Sequence, residues 1–156
     1  MILTVGYDKT EFKQAPHRFE AGTPDISGPI GLHTAMDYLD AIGRAIIWKH
    51  DQELANYTYE KLASLNDIRL FGPKLNSDKR AGLVSFLLKD VHAHDVVTLA
   101  DQAGVALRGG HHCTQPLMHK LGVESTARAS FYFYNNQAEV DVFVDVVKEI
   151  QKFFGQ

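Results

Sequence analysis

Residues 108–118 read Arg-Gly-Gly-His-His-Cys-Thr-Gln-Pro-Leu-Met, and this stretch does most to decide the fold. The apolar residues just before it predict a strand over 105–108, and Gln115–Leu121, which precedes Gly122, predicts a short helix. The only cysteine of the chain, Cys113, therefore lies in a turn between a strand and a helix. Two glycines precede that turn and permit backbone conformations that are closed to other residues.

The same stretch holds the strongest candidate for chemistry. A cysteine thiolate is a nucleophile, and Arg108, His111 and His112 are basic neighbours that stabilise a thiolate. The alternative is that Cys113 is a small buried hydrophobic residue. A metal site at His111, His112 and Cys113 is a further alternative. Adjacent residues of an extended loop point in different directions and rarely complete a tetrahedral site, so we assign no metal ligand.

Hydrophobic periodicity on both sides of this stretch predicts a mixture of helices and short strands, which favours an α+β or α/β fold. The predicted strands are 1–5, 68–71, 83–88, 105–108 and 127–134. The predicted helices are the one capped by Ser27 and ending near Gly43, then 44–65, 95–103, 115–121 and the last one, which Asn136 caps. Residues 6–29, rich in proline and glycine, are predicted to form one long loop.

The composition is that of an ordinary globular domain, because hydrophobic residues make up 45% and charged residues 22% of the 156 residues. The net charge of −3 argues against a protein dedicated to nucleic acid, which usually carries a basic excess. No apolar stretch is long enough to span a membrane. A single cysteine and the lack of a signal peptide favour a reducing environment, so we expect a cytoplasmic protein.

Two further segments are candidates for binding anions. Gly22 and Thr23 offer a backbone N–H and a hydroxyl that suit a phosphate, but this signal is weak on its own, and an ordinary turn with Pro24 at its corner explains the residues better. Arg128 lies in an apolar strand, where a guanidinium must either pair with an acidic residue of the chain or face a ligand carboxylate.

Several segments, in this order, resemble the C-terminal part of the SUF-type (group II) cysteine desulfurases. The matching segments are 18–24 (Arg-Phe-Glu-Ala-Gly-Thr-Pro), 31–32 (Gly-Leu), 71–73 (Phe-Gly-Pro), 80–86 (Arg-Ala-Gly-Leu-Val-Ser-Phe), 108–118 and 128–130 (Arg-Ala-Ser). These enzymes use pyridoxal phosphate, have fold type I, belong to the class V aminotransferase superfamily and are similar to selenocysteine lyases. The resemblance implies an α+β fold with a mostly antiparallel sheet flanked by helices, preceded by an extended N-terminal segment and a long helix.

The resemblance also implies a role for each candidate residue. Cys113 is the nucleophile that takes sulfur from L-cysteine, or selenium from selenocysteine, and L-alanine is released. Arg128 binds the substrate carboxylate with support from Arg108. His111 and His112 shape the cysteine loop. In the homodimer, Thr23 and the backbone of Gly22 reach the cofactor phosphate of the other subunit, and a small acceptor protein takes the sulfur for iron–sulfur cluster assembly.

One departure from the family changes what is expected of this chain. The family's cofactor lysine lies in a Ser/Thr-x-His-Lys segment, which is absent from this sequence. We therefore expect a fragment, with residues 1–43 as a remnant of the large domain and 44–156 as the small domain. The isolated chain is expected to be inactive and to expose apolar surface on its first helix, which would drive self-association. The alternative function is a non-enzymatic carrier of sulfur on Cys113 or a module that binds the acceptor.

Overall fold

The structure is a computed structural model that describes residues 1–75, 77 and 79–155. The chain divides into two compact units, Met1–Gly43 and Arg44–Gln156. Among the described residues, no helix combines the length and the apolar character that a membrane span requires.

The first unit contains a two-stranded antiparallel sheet and one long helix. Its elements are β1 (Ile2–Val5), β2 (Thr10–Phe12), a 3-10 turn at His17–Phe19 and α1 (Ser27–Ile42). The predicted loop at 6–29 is therefore wrong in part. A turn in which the Gly6 N–H donates to Lys9 O at 2.9 Å folds β2 back on β1.

The cap of α1 differs from the prediction as well. Ser27 is the first residue of the helix, and its side chain does not cap it. Asp25 caps the helix instead. Its carboxylate accepts a hydrogen bond from the Ser27 hydroxyl at 2.8 Å and one from the Gly28 N–H at 3.0 Å. These bonds, the one from Gly28 first, lower the pKa of Asp25. No residue of α1 is buried, and Ile30, Leu32, Met36 and Tyr38 are exposed, whereas Leu39 and Ile42 are half-buried.

The described residues of the second unit form one antiparallel sheet with four helices. Its elements are α2 (Arg44–Ala63), β3 (Ile68–Phe71), β4 (Leu83–Leu88), α3 (Ala93–Gln102), β5 (Arg108–Gly110), α4 (Gln115–Leu121), β6 (Thr126–Ser130) and α5 (Gln137–Phe153). The strand order is β3-β4-β6-β5, and every neighbouring pair is antiparallel. The α+β prediction with a mostly antiparallel sheet is confirmed.

The core of the second unit lies on one face of this sheet. Val84, Phe86 and Leu88 of β4 are buried, whereas the residues between them are half-buried. The ring of Phe86 meets that of Phe143 edge-on, with centroids 5.8 Å apart. α5 buries a stripe of apolar residues against the same cluster. This stripe consists of Val140, Phe143, Val144, Val147 and Ile150. Alternate residues of each strand therefore point away from the core, toward the other face.

Two predicted strands have different bounds in the structure. The strand at 105–108 is shifted to Arg108–Gly110, because the Val105 N–H donates to Ala100 O at 2.9 Å and closes the end of α3 instead of pairing. The strand at 127–134 ends at Ser130. Beyond it, the Tyr132 N–H donates to the Asn135 side chain at 2.9 Å and the chain turns. The predicted cap at Asn136 is present as a complete capping box with Glu139.

Candidate active site

The face of the sheet opposite the core carries a row of polar residues. Ser85 on β4 pairs with Arg128 on β6, and Arg128 pairs with Arg108 on β5. Residues directly opposite each other in an antiparallel sheet project from the same face. The two arginines therefore lie side by side on one face of the second unit.

The loop after β5 has an unusual backbone. His112 and Cys113 both have positive φ, at 54° and 60°, although neither is a glycine. Two consecutive residues of this kind are uncommon and need support from their surroundings. Part of this support comes from Thr114, whose N–H and hydroxyl both donate to His111 O, at 2.9 and 2.8 Å. The loop is therefore compact, and it leaves Cys113 exposed.

A cationic side chain contacts the thiol of Cys113. Arg108 Nη2 donates to Cys113 Sγ at 3.4 Å. A guanidinium in this position stabilises a thiolate by a charge-assisted hydrogen bond, and it leaves the sulfur open to solvent on its other side. The alternative that Cys113 is a buried hydrophobic residue is wrong.

His112 and His111 differ in their surroundings. The half-buried ring of His112 places Nε2 3.1 Å from Thr126 O and 2.8 Å from Thr126 Oγ1. Burial and then the positive charge of Arg128 lower the pKa of His112, with smaller effects of the same sign from Arg108 and His111. The ring is therefore neutral at neutral pH. His111 is exposed and supports the loop through its carbonyl oxygen.

The Arg128 guanidinium is half-buried and has no acidic partner in the described part of the chain. Its Nε is buried, and no described residue accepts a hydrogen bond from it. The prediction left open a structural pair with an acidic residue, and no such pair is present among these residues. Arg128 therefore faces the open side of the sheet as an unneutralised cation.

A cavity of about 350 Å³ adjoins Arg128 on this face. Its polar lining comes from Ser85, His112, Thr114, Thr126 and Arg128, and apolar side chains from β3, β4 and α4 also line it. A small amphipathic molecule with an anionic group fits the chemistry of these walls.

The remaining candidate sites are those for a metal ion and for a phosphate. Over residues 1–75, 77 and 79–155, no three histidine, cysteine or acidic side chains are arranged to hold a metal ion. Gly22 and Thr23 belong to the first unit, in the loop before α1, whereas the cysteine site belongs to the second unit. Thr23 is exposed, and nothing lies within 4 Å of the position that a Cβ on Gly22 would occupy.

Sequence reasoning missed two residues of this face, Ser85 and Thr126. The geometry of the sheet relates each of them to Arg128: Thr126 lies two positions before Arg128 on the same strand, and Ser85 lies opposite Arg128 on β4. The two-residue period of a strand would have found Thr126 if the strand had been started one residue earlier.

The sequence of the chain matches a protein-family model. The class V aminotransferase model matches residues 1–143. The chain belongs to the class V aminotransferase family. Its similar relatives include proteins named probable cysteine desulfurase from Halalkalibacterium halodurans, 46% identical over 155 residues, and from Staphylococcus aureus, 49% identical over 149 residues.

These matches cover most of this chain and a minor part of each relative. They span 99% of the chain and 37% of the Halalkalibacterium halodurans protein, and 96% and 35% for the Staphylococcus aureus protein. A solved apo structure of a cysteine desulfurase from Thermococcus onnurineus matches with a TM-score of 0.81 and 41% identity, over 97% of this chain and 37% of that one. The fold of this class V family member is thus that of one part of a cysteine desulfurase.

Proposed function

We propose that this chain is the C-terminal part of a pyridoxal phosphate-dependent cysteine desulfurase, in which Cys113 accepts sulfur from L-cysteine. The observation that carries this proposal is the exposed Cys113 thiol beside Arg108, on the sheet face that also bears Arg128. A nucleophilic sulfur, a contact that stabilises its anion and an unneutralised cation for a carboxylate are the three functions that sulfur abstraction from an amino acid requires.

The proposed reaction begins with binding of the substrate carboxylate. Arg128 holds the carboxylate by parallel N–H donors, and Arg108 adds positive charge from the neighbouring strand. The Cys113 thiolate then attacks the sulfur of the substrate. A sulfur–sulfur bond forms, the carbon–sulfur bond of the substrate breaks, and its electron pair is protonated at carbon, which gives L-alanine and a persulfide on Cys113.

When the cofactor is bound, it supplies an electron sink that makes the carbon–sulfur bond of the substrate easier to break. All ten lysines of this chain are exposed, and none borders the cavity beside Arg128. Covalent attachment of this cofactor requires a lysine that is placed in the binding site, so the lysines of the present chain do not fit covalent attachment. Thr23, with its exposed hydroxyl, and the open space at Gly22 fit a phosphate of the cofactor held by the other subunit of a homodimer.

The remaining features of the proposal follow from this assignment. Residues 1–43 are the end of the large cofactor-binding domain, and 44–156 are the small domain. His111 and His112 support the cysteine loop. A small acceptor protein takes the persulfide sulfur for iron–sulfur cluster assembly in the cytoplasm. The chain by itself does not release sulfur, because the cofactor lysine lies outside it, and selenocysteine remains an alternative substrate.

A chimera tests the proposal. Here, the chain replaces the matching 155 residues of the Halalkalibacterium halodurans relative, so that the large domain is restored. We expect the chimera to release alanine and sulfide from L-cysteine in the presence of a thiol reductant, and the isolated chain with added pyridoxal phosphate to release neither. In the chimera, Cys113→Ser should abolish both products. A chimera that binds the cofactor and keeps its activity after Cys113→Ser would contradict the proposal.

A second candidate is a persulfide carrier without desulfurase activity. The exposed thiol of Cys113 and the lack of a suitable lysine favour it. In that case, the isolated chain would accept sulfur from a small persulfide donor and pass it on, while the chimera would bind the cofactor and stay inactive.

A further inference from the structure

The cysteine loop returns to the residue at which it leaves the sheet. β5 ends at Gly110, and the residue opposite Gly110 in the neighbouring strand is Thr126. Two positions later, the ring of His112 contacts the carbonyl oxygen and the hydroxyl of the same Thr126. The next residue is Cys113. The contact therefore closes the loop on the sheet immediately before the sulfur-bearing residue.

The geometry also decides which nitrogen of His112 carries the proton. A carbonyl oxygen only accepts, so the 3.1 Å contact with Thr126 O requires a proton on Nε2. In the neutral ring, Nδ1 then carries none, and Nδ1 is buried with no donor among the described residues. The Nε2–H is shared between the two oxygens of Thr126. Thr126 is 1% exposed, so water does not compete for this contact.

We propose that Thr126 is a positioning residue that fixes the ring of His112 and, through it, the backbone of Cys113. This inference rests on the proposed function of Cys113 as the sulfur acceptor. Thr126 itself touches no substrate. Its hydroxyl contributes one of the two acceptors that hold the His112 ring, and the left-handed conformations of His112 and Cys113 persist because this ring is held.

The test compares Thr126→Val, which keeps the volume and removes the hydroxyl, with Thr126→Ser, which keeps the hydroxyl. The readout is hydrogen exchange of the Thr114 amide, whose bond to His111 O spans the two left-handed residues of the loop. We expect exchange about fivefold faster in Thr126→Val, the effect of one hydrogen bond, and within about twofold of the wild type in Thr126→Ser.

Thr58→Val is the matched control. Thr58 is fully buried on α2, and its hydroxyl donates to Leu54 O at 2.8 Å. This variant should lower the global stability to a similar degree and leave exchange at Thr114 within about twofold of the wild type. Equal acceleration at Thr114 in both valine variants would show a purely structural effect and overturn the proposal, as would the absence of any effect in Thr126→Val.

A second readout is the rate at which iodoacetamide alkylates the chain, which reports on Cys113 alone because it is the only thiol. A loosened loop takes Sγ away from Arg108, so we expect alkylation at pH 7 to slow by about twofold in Thr126→Val, less than when Arg108 itself is removed, and to recover in Thr126→Ser. An unchanged rate in Thr126→Val would contradict the inference.

The pH profile separates positioning through His112 from simple packing. Arg128 on β6, Arg108 on β5 and His111 in the loop all oppose a positive charge on the His112 ring. Protection of the Thr114 amide should therefore fall when the ring takes a proton, with a midpoint below the usual 6.5. His112→Gln keeps a donor of similar reach and does not titrate, so this step should disappear. If it persists, the inference fails.

These readouts need no desulfurase activity. An inactive chimera with the predicted exchange and alkylation pattern would refute the proposed function and leave the role of Thr126 intact. An active chimera with no response to Thr126→Val in exchange or alkylation would do the reverse.

Discussion

The contact between Arg108 and Cys113 makes a quantitative prediction about the reactivity of the thiol. The Nη2–Sγ distance is 3.4 Å, and both side chains are exposed. Two opposite unit charges at this distance in water attract by about 1.2 kcal/mol, and screening leaves less than about 1 kcal/mol at an exposed site. Replacing Arg108 by glutamine should therefore slow alkylation of Cys113 by iodoacetamide about threefold at pH 7 and low salt, since the thiolate loses this stabilisation.

The assay is pseudo-first-order alkylation of the 156-residue chain, followed by intact mass. Arg108→Lys should retain part of the effect, because it keeps the charge and loses the fork of donors. Lys120→Gln, at an exposed residue of α4, removes the same charge without touching Sγ and serves as the control. At about 1 M salt the Debye length falls to about 3 Å, so the difference between wild type and Arg108→Gln should shrink. An Arg108→Gln variant as reactive as the wild type at low salt would show that Arg108 does not stabilise the thiolate.

Three further predictions concern stability and association. Phe86→Ala should lower the free energy of unfolding in urea by about 3–5 kcal/mol, because Phe86 is fully buried against Phe143; a loss below about 1 kcal/mol would contradict the core described above. The unfolded chain binds a proton on His112 near pH 6.5, and the folded chain binds it only at lower pH, so the free energy of unfolding should fall as the pH drops below 6.5. His112→Gln should reduce the slope of the free energy of unfolding against pH. An equal slope in both proteins would argue against a neutral ring. Exposed Ile30, Leu32 and similar residues of α1 should make the isolated chain self-associate, which light scattering over a concentration series measures; a monomer at every concentration would contradict this expectation.

The sequence allowed the long and strongly periodic elements to be predicted. The apolar run of β4 and the stripe of α5 carry their pattern over many residues, and Asn136 with Glu139 forms a cap that has a recognisable spacing. Short elements failed because nonlocal contacts decide them. β5 begins where Arg108 meets its partner on β6, and the apolar residues Val105 and Leu107 before it pack against the core.

The candidate site shows the same division. The cluster of Arg108, His112 and Cys113 lies within six positions of the sequence, so the motif alone indicated that these residues act together. The role proposed for Thr126 depends on strand register, which places it opposite Gly110 and within hydrogen-bond distance of His112 Nε2. Nothing in the local sequence around Thr126 specifies that register.

The most direct test of the central claim is the intact mass of the chimera after brief incubation with L-cysteine and no reductant. We expect the mass of one added sulfur atom, located on the peptide that contains Cys113, together with one alanine released for each sulfur bound. Alanine released without sulfur on Cys113, or sulfur bound to a chimera that carries Cys113→Ser, would contradict this expectation.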